Sequence, residues 1–212
     1  MADLMPLNFP QPTSAVNVNY DFTDFLENTG YVILYGMTDT AGNYYLTRNQ
    51  LESSTASTTA TDGTTPVEVN FDYTFLVATK LKGKLTIVAT YAADNNASNT
   101  SAGKVTFEPI HYDGSTETSL ASSQVTDTVS NPANVTQTEM VDTLVFSIDR
   151  YFKVGEILRI EAIIEAINFS AGSPTATLYH DGANRNLTLV DDKTNAAADS
   201  NLKVVIPLVI DS

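Results

Sequence analysis

The chain has 212 residues, a formal net charge of −14 and no cysteine. Its length suits one large domain, and a hydrophobic fraction of 42% is enough to form a core. No disulfide, thiol nucleophile or thiolate-bound metal is possible, and a surface this acidic repels phosphate backbones, so nucleic acid is not expected as a partner.

Charged residues make up only 17% of the chain. Ser, Thr, Asn and Ala must therefore supply much of the surface, a composition that favours strands and turns over helices. No apolar run approaches the roughly 18 residues of a membrane span, and no membrane partner is expected. The opening "MADLMPLNFPQPTS" lacks a basic start and a continuous apolar stretch, so it does not read as a secretion signal.

Residues 1–29 show no periodic pattern. Pro6, Pro10 and Pro12 favour an extended arm. One reading of this stretch is a disordered leader; the other, to which the apolar Leu4, Met5, Leu7 and Phe9 point, is an arm that docks on a neighbouring subunit or shell. Residues 30–212 are expected to form one β-sandwich domain.

"YVILYGM" (31–37) is a short apolar run with strong β character; "TAGN" then turns into "YYLTR", as in a hairpin. Residues 53–66 are polar and of low complexity, and read as a loop. "VEVNFDYTFLV" alternates cleanly, with Val67, Val69, Phe71, Tyr73, Phe75 and Val77 on one face. "KLKGK" reads as a turn and "LTIVATY" as the next strand. The polar loop "ADNNASNTSAG" precedes "KVTFEPIHY", a strand in which Pro109 suggests an edge or a bulge. "DGS" turns again, residues 116–129 form a weaker strand region, and "SNPAN" ends it.

"TLVFSI" is a strand, and "EILRIEAIIEAI" (156–167) is ambiguous. Ile157, Ile160, Ile164 and Ile167 have helical spacing, whereas Leu158, Ile160, Ala162, Ile164 and Ala166 alternate. A helix would set Glu161 and Glu165 four apart as a like-charge pair, and no Ser, Thr or Asp cap adjoins it. The segment is therefore expected to be a strand. Its odd face mixes Ile157, Ile163 and Ile167 with Arg159, Glu161 and Glu165, which suits a half-covered surface contacting a partner. "TATLYHD" and "LKVVIPLVI" are further strands, the second with Pro207 favouring an edge. Nine or ten strands, polar loops and no crossover helix indicate an all-β antiparallel sandwich, and strands of this length and number fit a jelly roll.

Chemistry is harder to place. Only His111 and His180 could serve as the base of a nucleophilic triad, and neither adjoins a G-x-S-x-G elbow. His180 reads as a strand-end histidine with a structural hydrogen bond. Glu161 and Glu165 would stand roughly 13 Å apart along a strand, with nothing to seat a sugar ring between them. The Asp/Asn-rich "DNNASN" and "DDKTNAAADSN" offer oxygen ligands for calcium without the spacing of a known loop. Asn96, Asn99, Asn134, Asn168 and Asn186 begin N-x-[ST] triplets that chance explains in so Asn- and Thr-rich a chain. Tyr44 and Tyr45 are candidates for a sugar platform, and a carbohydrate-binding or receptor-binding module is the alternative function. No catalytic residue, cofactor or metal is assigned.

"DRYFKVGEILRIEAIIEA", "TATLYHDGANR" and the terminal "LKVVIPLVID" together resemble a pattern of structural proteins of tailed phages and related viruses, over about the last third of the chain. In that pattern a strand entered through F-K-x-G-[DE]-x-L-R is followed by one ending in H-D-[PG]-x-x-R. Gly182 stands where Pro is more usual. The resemblance implies a capsid decoration (cement) or minor capsid protein on the exterior of the virion. It further implies the major capsid protein as partner, assembly as a homotrimer and no catalytic residues. Leu4, Met5, Leu7, Phe9, Ile157, Arg159, Glu161 and Ile163 are the expected contacts with shell or subunit.

Overall fold

The computed structural model describes residues 29–39, 41–48, 57–61, 65–94, 100–132, 137–168, 174–180, 186–191, 194–199 and 202–209. The expected arm contacts Leu4, Met5, Leu7 and Phe9 lie outside them. So do most of the "DNNASN" loop and Asn96, Asn99 and Asn134.

The described residues form strands and no helix. In chain order these are β1 (Thr29–Thr38), β2 (Tyr44–Thr47), β3 (Ser57–Thr61), β4 (Val67–Thr74) and β5 (Thr79–Asp94). Then come β6 (Ser101–Tyr112), β7 (Glu117–Ser119), β8 (Gln124–Val125), β9 (Val129–Asn131) and β10 (Gln137–Phe152). β11 (Ile157–Asn168), β12 (Thr175–Tyr179), β13 (Asn186–Asp191), β14 (Thr194–Asp199) and β15 (Lys203–Val209) complete the chain. Thirteen belong to one sheet ordered β3-β12-β5-β15-β1-β2-β4-β11-β6-β7, with β10 on β5 and with β8 and β9 on β6; β13 and β14 pair separately. Every pairing is antiparallel except the Tyr45↔Asp72 bridge of β2 with β4.

The sheet bends so that β12 and β5 come to lie over β6 and β11. Alternation explains the core. Leu85, Ile87, Ala89 and Tyr91 of β5 bury one face together with Val105 and Phe107 of β6, Phe146 and Ile148 of β10, and Val204 and Ile206 of β15. The ambiguity of residues 156–167 resolves as a strand. Leu158, Ile160, Ala162 and Ile164 are fully buried and the odd residues half-buried, because β11 pairs along its length with β6 and over its first eight residues with β4. The all-β antiparallel expectation holds; this strand order does not by itself specify a jelly roll.

Several local expectations are corrected. "KLKGK" is no turn: Lys80–Lys84 run inside β5, opposite Ser147–Tyr151 of β10. Gly83, at φ +133°, supplies the irregularity there, facing the Pro207 ring 3.2 Å from where its Cβ would stand. The turn falls earlier, after Thr74, and so Val77 leaves the buried face and is exposed. The polar stretch 53–66 contains β3, which pairs with β12 at the sheet margin. "TSAG", assigned to a loop, starts β6 at Ser101. The hairpin of β13 and β14 falls in a region assigned no strands.

Pro109 and Pro207 sit in interior strands. Pro109 faces Ile160 on one side, and on the other its carbonyl accepts from the Leu120 amide between β7 and β8. Its missing N–H is thus aimed at a gap in the ladder. Pro207 pairs with Tyr31, two residues beyond the last rung shared by β15 and β5.

Candidate functional site

The β10–β11 turn holds the most organised polar group. β6 directs His111 inward, 4% exposed, beneath residues 150–156. Its Nε2 lies 2.8 Å from Glu156 Oε2 and its Nδ1 2.8 Å from Arg150 Nη2. A guanidinium only donates, so Nδ1 accepts and Nε2 carries the proton toward the carboxylate. Glu156 Oε2 also accepts the Lys153 amide at 2.8 Å. That backbone bond first, and the His111 bond second, hold its carboxyl below the usual range. Phe152 meets the imidazole edge-on at 4.7 Å. A general base needs a free nitrogen facing substrate, and here Arg150 occupies it.

The same turn is stapled to its neighbour. Gly155, at φ +86°, donates its amide to Phe75 O at 2.8 Å, and Phe75 donates to Glu156 O at 3.0 Å. A positive φ at this point is what lets the chain reverse in so few residues.

His180 follows β12 and is fully buried. Its Nε2 is 2.9 Å from Thr58 Oγ1 and its Nδ1 is 3.3 Å from Thr38 Oγ1. Tyr44 Oη completes the chain to Thr58 at 2.9 Å, while the Tyr44 and Phe71 rings meet the imidazole edge-on at 5.5 and 5.4 Å. Desolvation pushes the imidazole down to about 4. The expected structural histidine is what the fold contains. Tyr44 is half-buried, its hydroxyl bonded to Thr58 and its ring packed against Phe71.

The outer face of β11 gathers Ile157, Arg159, Glu161 and Ile163, as expected. Arg159 forks onto Asp72 through Nε and Nη2, both at 2.8 Å, donates Nη1 to Glu117, and lies 5.0 Å over the Tyr112 ring. Burial, and then Glu68, Glu108 and Glu117, raise the Glu161 carboxyl. Glu165 is held by Lys104 at 3.1 Å. Glu161 and Glu165 thus share a face but not a task. Among the described residues no group of three His, Asp or Glu side chains could hold a metal.

One feature escaped the sequence. Leu76 and Val77 in the β4–β5 turn, and Tyr151 and Val154 around the β10–β11 turn, are 84%, 69%, 54% and 67% exposed. An apolar run that continues past a strand end, directly before three lysines in "KLKGK", was the available signal.

No protein-family model and no curated protein matches the chain in sequence. Among solved structures it is similar to a CocE/NonD family hydrolase from Staphylococcus aureus. Two crystal structures of that enzyme are each 13% identical over 86% of this chain and 37% of theirs, with TM-scores of 0.49 and 0.50. The chain therefore spans little more than a third of that enzyme, and at this identity the likeness concerns the fold alone. Infectious bursal disease virus, Gt strain, aligns over 98% of this chain and 41% of its own at 11% identity and a TM-score of 0.36. That likeness to a viral particle is too loose to bear on function.

Proposed function

We propose that the chain is a structural protein of a viral head, a decoration or minor capsid protein that binds the major capsid protein on the shell exterior without catalysing a reaction. The carrying observation is how the residues of the phage-like C-terminal pattern are used. Phe152 and Leu158 are buried in the core, Gly155 makes the turn, Glu156 clamps His111, Arg159 forks onto Asp72, and His180 is sealed between threonines. Each of these side chains is committed to holding the sheet in shape, which is the demand on a shell component. A trimer using the outer face of β11 (Ile157, Arg159, Glu161, Ile163) is the assembly that accompanies this reading.

Mass spectrometry of purified particles is the test. The chain should be found in them at a fixed ratio to the major capsid protein, and particles devoid of it sink the proposal. Turnover of simple ester or amide substrates by the purified chain above the buffer rate would instead favour an enzyme.

A further inference from the structure

The four large hydrophobic side chains most exposed among the described residues, Leu76, Val77, Val154 and Tyr151, all stand at one end of the sheet. Their two turns are not loose. Besides the paired backbone bonds between Phe75, Gly155 and Glu156, the buried Phe75 and Phe152 rings stack at 4.6 Å directly beneath them, and the Thr79 hydroxyl donates to Val77 O at 2.9 Å. A rigid fold that displays its apolar side chains together in this way marks a contact surface.

The charges behind the apex run against the rest of the molecule. Of the 11 basic residues, Lys80, Lys82, Lys84 and Lys153 belong to these two turns and the strands that enter them. The Lys153 side chain is 76% exposed. Asp149 lies between Lys80 and Lys82, at 3.3 and 3.9 Å. Glu156 turns its Oε2 inward onto His111 while its Oε1 lies 3.9 Å from Lys153 Nζ, and Asp113 caps its own turn through Ser115 and Thr116.

Leu76, Val77 and Val154 form the apex. Tyr151 pairs with Lys80 one residue into β5, and Asp149 with Lys82 two residues further. At about 3.3 Å per residue, Lys80 and Lys82 fall within roughly 10 Å of the strand start. Lys153 adjoins Val154 at the apex, Tyr151 and Lys80 share the next level, and Lys82 lies two residues further. Apolar, tyrosine and lysine side chains gathered at one end suit a bilayer interface, where lysine stems lie along the acyl layer and their ammonium groups reach the phosphates.

We propose that this tip seats in the interfacial layer of a lipid bilayer bearing anionic headgroups, with Leu76, Val77 and Val154 inserted and Lys80, Lys82 and Lys153 on the phosphates. The contact needs no membrane span, and so revises the expectation of no membrane partner, which rested on the missing span. It stands independently of the shell reading.

The chain has no tryptophan, so a Leu76→Trp variant carries a single reporter at the apex. With phosphatidylcholine vesicles containing phosphatidylserine its emission should shift to the blue, and the unaltered chain should co-sediment. Leu76→Asp/Val154→Asp, at exposed positions where the fold is indifferent, should weaken partitioning at least tenfold, about 1.4 kcal/mol. Val145→Asp, exposed on β10 some six residues from Tyr151, should partition like the parent. A parent chain that stays in the supernatant, or an aspartate double variant that binds equally well, overturns the proposal. Retention on immobilised polyglutamate without vesicle binding also overturns it, since the tip would then fit an acidic protein surface.

Discussion

Gly103 of β6 and Ala176 of β12 meet across the interior with no room between them: a Cβ on Gly103 would stand 2.8 Å from Ala176 Cβ and 3.3 Å from Ala92 O. Neither neighbour is a flexible side chain, so the two parts of the bent sheet are spaced here by backbone and one methyl group. Gly103→Ala should lower unfolding free energy by about 1–3 kcal/mol, measured by denaturant titration. Gly103→Ala/Ala176→Gly moves the methyl across the same gap and should recover a substantial part of that loss. Additive effects of the two substitutions would mean that this contact does not set the spacing.

His180 predicts acid sensitivity. Its folded-state value of about 4 lies below the ordinary 6.5, so between those values the unfolded chain binds a proton that the folded chain refuses. The contribution is fully present above about pH 6.5, is lost as pH falls toward 4, and levels off below. The displacement corresponds to roughly 3 kcal/mol. In nuclear magnetic resonance spectra the His180 ring signals should stay in the neutral form through pH 6 and titrate near 4. A midpoint at 6.5 would contradict the sealed pocket of Thr38 and Thr58.

Arg159→Lys keeps the charge on β11 and loses the planar fork onto Asp72. The expected cost is about 1–2 kcal/mol. Thermal unfolding with and without added salt reads it. Because the pair is partly buried, salt should erase only a fraction of the difference.

Glu156→Gln leaves the size of the side chain and removes the charge that gathers the Lys153 amide and His111. Amide exchange at Lys153 and Gly155 should quicken by about tenfold or more, while exchange in the centre of β5 should stay unchanged. Equal protection of the turn in both proteins would show that the backbone staple to Phe75 suffices.

Much of the fold was legible because a strand writes itself in a period of two. Val67–Phe75, Leu85–Tyr91 and Val204–Ile206 alternate, and in the structure their apolar sides face inward. For residues 156–167 the spacing alone was equivocal, and local electrostatics decided for a strand: a helix would have paired Glu161 with Glu165 without a cap. β3 was invisible because "STTAT" has no apolar alternation of its own; it is a strand only because β12 offers it an edge. "KLKGK" misled because glycine and lysine mark turns in isolation, whereas here β10 runs alongside and supplies a partner for every residue from Lys80 to Lys84.

The candidate sites divide along the same line. That His180 is structural was readable from its place at a strand end, but its partners Thr38 and Thr58 are 142 and 122 residues away along the chain, and no local pattern announces contacts of that range. The Arg150–His111–Glu156 group and the apolar tip arise likewise where separate turns converge. Composition and periodicity by themselves determined that this chain forms antiparallel strands without disulfides, because side-chain alternation and cysteine content are local properties. Which polar groups seal one another and which apolar groups are left outside was decided only by the tertiary structure, because burial depends on what the rest of the chain brings alongside.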